Sequence, residues 1–102
     1  MIEFMFYKNK YGELKGFRCM NHGQDVVCAA VSILTQNTVN SVEMLSDTKF
    51  QLDIDPAGGF MEFMLNDEID NKAEILLKSL ELGIGGIAEE YSSEIEVFVK
   101  EV

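Results

Sequence analysis

The only histidine and one of two cysteines stand six positions apart in Asn21-His22-Gly23-Gln24-Asp25-Val26-Val27-Cys28-Ala29-Ala30-Val31-Ser32. An imidazole beside a thiol can accept its proton or pair with the thiolate, which is the starting condition for covalent acyl transfer. From Asp25 onward the residues are apolar at helical spacing, so Cys28 falls in the first turn of a predicted helix. There the unpaired backbone N–H groups and the helix dipole favour a negative sulfur. His22 could not meet Cys28 from the same helix, because a residue six positions earlier points elsewhere. A loop has to fold back over the helix start, and Gly23 eases that reversal by tolerating positive φ. Asp25 is a natural N-cap that would orient the first turn. Ser32, one turn beyond Cys28, is placed to hydrogen-bond near the thiol or back to its own helix. Other readings fit the same residues: Cys28 as a small buried apolar side chain, and His22 as a surface loop residue. A third is a Cys19, His22 and Cys28 metal set, which has the form Cys-x2-His-x5-Cys and no fourth ligand close by.

The elements around this stretch follow from periodicity. Ile2 to Tyr7 alternates, with Ile2, Phe4 and Phe6 on one face, and the turn residues 8–12 return the chain along Glu13 to Met20. Gly16 in mid-strand predicts a bulge or bend. The helix predicted from Asp25 to about Leu45 places Val27, Val31 and Leu34 on one stripe, widened by Ala30, Ile33 and Val42. Val26 and Ala29 fall on the other side, which predicts burial on several faces. A second hairpin pairs Lys49 to Ile54 with Phe60 to Leu65 across Asp55-Pro56-Ala57-Gly58-Gly59. Asn66 or Asp67 is the expected cap of a second helix reaching about Tyr91, with Ile69, Ala73, Leu76, Leu80, Ile84 and Ile87 on its stripe. Gly83, Gly85 and Gly86 cost that helix about 1 kcal/mol each relative to Ala, which is tolerated where another helix or a partner subunit comes close. Ile95, Val97 and Val99 predict a last strand. The expectation is one α+β domain over 1–102, in the order ββαββαβ, with two hairpins and two helices packed on an antiparallel or mixed sheet.

At 102 residues a single core is feasible without staples. No apolar run is long enough to span a membrane and no leader is visible, so a cytoplasmic protein is expected. In that compartment thiols stay reduced, and a Cys19–Cys28 disulfide is not the expected resting state. Cys19 reads as a strand residue with an idle thiol. The net charge of −10 argues against direct contact with nucleic acid, which needs a basic stripe. It suits a basic polypeptide partner, or serves solubility alone. No phosphate loop, dinucleotide fingerprint or calcium loop appears, so no cofactor or metal is expected.

The segment Asp25-Val26-Val27-Cys28-Ala29-Ala30-Val31-Ser32 resembles the Asp-Ile-Val-Cys-Ala-Ala-Val-Ser signature of the ribosomal-processing cysteine protease family, Prp. The likeness extends to both hairpins and to the long helix ending in Glu89-Glu90-Tyr91. It implies a homodimeric α+β cysteine endopeptidase that removes the N-terminal extension of a large-subunit ribosomal protein, number twenty-seven, during ribosome maturation. Cys28 matches the family's nucleophile. The family's histidine stands in Gly-His-Ala. Counted from the N-terminus that motif falls on Asn21-His22-Gly23, with a shorter loop to the cysteine; counted back from Cys28 without a gap it falls on Gly16. The first alignment makes His22 the general acid and base, with Gly23, Asp25 and Ser32 in support. The second leaves no base and implies a catalytically inactive binding protein of ribosome assembly. Family substrates carry paired Phe residues before the cut, so an apolar groove is expected near the loop.

Overall fold

A computed structural model of the chain describes residues 1–21, 26–66 and 70–102. Its elements are β1 (Ile2–Lys8), β2 (Leu14–Met20), α1 (Val26–Leu45), β3 (Phe50–Ile54), β4 (Phe60–Leu65), α2 (Asn71–Glu90) and β5 (Ile95–Glu101). The order ββαββαβ is the expected one. The strands form one sheet in the order β3-β4-β2-β1-β5. Every neighbouring pair is antiparallel except β1–β5, which is parallel, so the sheet is mixed.

Alternation selects the face that the helices cover. Ile2, Phe4 and Phe6 of β1, Phe17 and Cys19 of β2, and Phe63 and Leu65 of β4 are buried in one cluster. That cluster also holds Val27, Cys28, Val31, Val39 and Val42 of α1 and Ala73, Leu77, Leu80 and Ile84 of α2. Phenyl rings run across it from strand to strand: Phe4 lies 5.5 Å from Phe17, Phe17 5.4 Å from Phe63, and Phe63 4.9 Å from Phe50. Offset and tilted rings at these spacings attract beyond the area they bury.

The bulge expected at Gly16 is present. Tyr7 pairs with Gly16, but Lys8 pairs with Leu14, so Lys15 is the extra residue. The slip turns Leu14 onto the buried face, where it is 1% exposed. Glycine at position 16 has a packing reason as well: a Cβ there would sit 2.0 Å from the Phe63 carbonyl oxygen. The loop before β2 is held by the Asn9 side chain, whose Oδ1 accepts from the backbone N–H of Tyr11 (2.9 Å) and of Glu13 (3.0 Å).

Two expectations need correction, and a third is narrowed. Helix α1 is not buried on several faces: Val26 and Ile33 are 74% and 68% exposed, because a two-layer domain gives α1 only the sheet and α2 to lie against. Helix α2 is capped by Asp70, not Asn66, and begins at Asn71; Asp67 and Ile69 lie outside the described residues. Asn66 instead prolongs the β3–β4 hairpin, its N–H bonding to the Lys49 carbonyl. Asp70 accepts from the Ala73 N–H at 2.8 Å and from the Thr48 hydroxyl, so a tertiary contact selects it among several eligible residues. Of the three helical glycines only Gly83 meets the other helix: a Cβ there would lie 3.0 Å from Cδ1 of Leu34, whereas Gly85 and Gly86 face open space.

Candidate active site

Cys28 is the third residue of α1. It lies on the helix's buried face with Val27 and Val31 and is 6% exposed. That face is set by Val27, Cys28, Val31, Thr35, Thr38, Val39 and Val42, which recur at steps of three and four. The sulfur is therefore attached to the first turn, where N–H groups have no partner within the helix and the dipole favours an anion. Ser32 stands one turn on and is half-buried. Back-bonding to the helix is done by other residues: Thr35 to the Val31 carbonyl (2.9 Å), Thr38 to Leu34 (2.8 Å) and Ser46 to Val42 (2.8 Å).

His22, Gly23 and Asp25 lie outside the described residues, so the proposed base, the hinge and the expected cap of α1 remain sequence readings. Asn21 is the described residue that precedes them. It adopts φ 63°, a left-handed conformation that Asn accepts more readily than most residues, and its amide donates to Glu3. The extended backbone of β2 thus ends at Met20. The metal reading of Cys19, His22 and Cys28 also depends on His22; among the described residues no three metal-ligating side chains gather. No described helix is long and apolar enough to cross a membrane.

The structure brings in residues that sequence reasoning left idle. Cys19, 0% exposed, is the last buried residue of β2 and shares the cluster with Cys28; both are thiols. Burial, and then negative charge on Cys28, push the Cys19 thiol up to about 12. Along the sheet, Phe4, Cys19, Met61 and Ile54 form one row on the helix-facing side. Ile54 and its strand neighbour Leu52 are 49% and 40% exposed, an apolar shelf that the helices leave uncovered. At about 4.8 Å per strand, Ile54 is roughly 10 Å from Cys19 along that row. Alternation shows Leu52 and Ile54 on a face with Phe50, but only the strand register puts that face in line with Cys19.

The family model described as "Cysteine protease Prp" matches residues 1–96. The ribosomal processing cysteine protease Prp of Bacillus subtilis is 31% identical over 80 residues, covering 74% of this chain and 71% of the relative. A crystal structure of a Streptococcus mutans protein superposes with a TM-score of 0.90 at 32% identity, covering 100% of this chain and 96% of the other. The essential ribosomal processing protease Prp from S. aureus, in complex with a covalently linked product peptide, superposes with a TM-score of 0.93 at 24% identity. That match covers 98% of this chain and 100% of the other.

Proposed function

Because the chain belongs to the cysteine protease Prp family, we propose that Cys28 is the nucleophile, and His22 the general acid and base, of its peptide-bond hydrolysis. The protein is a cysteine protease. The substrate we assign is a large-subunit ribosomal protein, number twenty-seven, from which an N-terminal extension is removed during ribosome maturation, in the cytoplasm and by a homodimer. One observation carries the reading: the signature cysteine sits in the first turn of α1, on the helix's buried face, in one cluster with the inner side chains of the sheet.

The steps follow from that position. The Cys28 thiolate attacks the scissile carbonyl carbon; the C–S bond forms as the carbonyl π electrons move onto oxygen. First-turn N–H groups of α1 are placed to receive that oxyanion. Collapse breaks the C–N bond, and the imidazolium of His22 gives its proton to the leaving amine. Neutral His22 then takes a proton from water as the water attacks the thioester. Release of the acid restores the thiolate and the imidazolium. Gly23 and Asp25 serve the loop and the helix start, and Ser32 supports the turn beyond the thiol. The shelf of Met61, Ile54 and Leu52 supports a groove for apolar side chains on the acyl side of the cut. The net charge of −10 suits the basic body of a ribosomal protein.

The test is cleavage of a ribosomal protein carrying its extension, followed by mass spectrometry. Cys28→Ala should slow cleavage by at least about a thousandfold, and His22→Ala by roughly a hundredfold or more. Cleavage by either variant at the unaltered rate would remove it from the mechanism.

A further inference from the structure

Cys19 has no part in acyl transfer, yet it is a thiol buried in the same cluster as Cys28. β2 ends one residue after Cys19, and α1 begins two residues before Cys28. Only residues 21–25 separate the end of the strand from the start of the helix, and the last buried residue of the one and the first buried turn of the other belong to the same core cluster. We propose that Cys19 is the resolving partner of Cys28 in a reversible oxidative switch, in which a hydroperoxide converts the two thiols into a disulfide and silences the nucleophile. For activity this rests on the reading of Cys28 as nucleophile; the bond itself does not.

The chemistry balances with a hydroperoxide as the oxidant. The Cys28 thiolate attacks a peroxide oxygen; an S–O bond forms, the O–O bond breaks and hydroxide leaves, giving the sulfenic acid. The Cys19 sulfur then attacks the Cys28 sulfur. An S–S bond forms, the S–O bond breaks, and the departing hydroxide carries away the Cys19 proton as water. Two thiols and one hydrogen peroxide yield one disulfide and two waters.

The arrangement also sets the order of events. Cys28 keeps 6% exposure and Cys19 none, so a small oxidant meets Cys28 first. While Cys28 is anionic, its charge helps hold the proton on Cys19. Conversion of Cys28 to the neutral sulfenic acid removes that smaller contribution, while burial, the larger one, still keeps Cys19 a thiol, so its proton leaves with the departing hydroxide as the S–S bond forms. Without Cys19 a second hydroperoxide would carry the sulfenic acid on to the sulfinic acid, which dithiothreitol does not reverse.

The experiment treats the reduced full chain with an excess of hydrogen peroxide at neutral pH, then reads intact mass, peptide map and peptide cleavage before and after dithiothreitol. The expected product has lost two hydrogens, joins the Cys19 and Cys28 peptides, and regains full cleavage on reduction. Cys19→Ala should lose activity under the same oxidant, gain two or three oxygens on Cys28, and recover less than about a tenth on reduction. If alanine unsettles the core, Cys19→Val replaces it. Oxygen adducts on the wild-type chain with no cross-link would overturn the switch. A cross-link in a protein that cleaves nothing even when reduced would keep the switch and instead refute the assigned activity.

Discussion

Replacing Gly16 by alanine tests the packing of β2 against β4 at one atom. The added Cβ would lie 2.0 Å from the Phe63 carbonyl oxygen and 3.0 Å from Cα of Met64. Carbon and carbonyl oxygen ordinarily approach to about 3.3 Å, so β4 must retreat by roughly 1.3 Å where the strand spacing is about 4.8 Å. A ladder hydrogen bond near 2.9 Å does not survive that stretch. Overpacking costs about 1–3 kcal/mol, and the loss of about two ladder bonds adds about 1 kcal/mol apiece. The expected destabilisation is at least about 3 kcal/mol, which for a domain of this size lowers Tm by at least about 12 °C. Gly85→Ala and Gly86→Ala are the internal controls, since their Cβ atoms meet nothing within 4 Å. Each should stabilise α2 by up to about 1 kcal/mol. Thermal and urea unfolding followed by circular dichroism, with the urea m-value checked for constancy, reads all three. A Gly16→Ala midpoint within about 4 °C of wild type, or Gly86→Ala as damaging as Gly16→Ala, would refute the argument.

Two further predictions concern titration. Tyr7 donates to Glu62 at 2.6 Å on the sheet face away from the helices; burial first, and then that bond, raise its phenol from 10.0 to about 12. A folded value above the unfolded one stabilises fully below pH 10 and is lost as pH rises through 12, so phenolate absorbance should show one tyrosine ionising near pH 12, and Tyr7→Phe should abolish that step. Asp70 is held below its ordinary 3.8 chiefly by the Thr48 hydroxyl and the Ala73 N–H. Its contribution is complete above pH 3.8 and fades as pH falls through the depressed value, so wild type should exceed Asp70→Asn in Tm at pH 7 and lose that margin in acid.

Much of this fold is written in local periodicity. Phe4, Phe6, Phe17 and Phe63 alternate with polar or outward residues, and Ala73, Leu80 and Ile84 keep helical spacing, so strands, helices and their inner faces could be read directly. The one-sided burial of α1 could not. An apolar helix looks the same whether two or three layers surround it, and Val26 and Ile33 carry no mark of what lies outside them. The cap of α2 was hidden for another reason: Asn66, Asp67, Asp70 and Asn71 all suit the role, and the choice of Asp70 depends on Thr48, far away in sequence. At the site, the first-turn position of Cys28 was legible. The company of Cys19, and the row running on to Met61 and Ile54, required strand register, which follows from pairings that no single segment encodes. Parallel β1–β5 pairing belongs to the same class of global information.

That parallel pairing has a consequence for how the protein is born. On a ribosome β1 emerges first and can zip onto β2 almost at once, because their partners are close in sequence. Its opposite edge waits for β5, which follows every other element. Throughout that interval the nascent domain exposes an unfilled row of amides and carbonyls beside Phe4 and Phe6, a template for a neighbouring nascent copy. When β5 docks, the edge it presents carries Glu96, Lys100 and Glu101, charged residues that discourage further strand addition. Docking of β5 therefore closes the edge of β1 that waits longest among the described strands, so crowded translation at high expression exposes this chain to self-association.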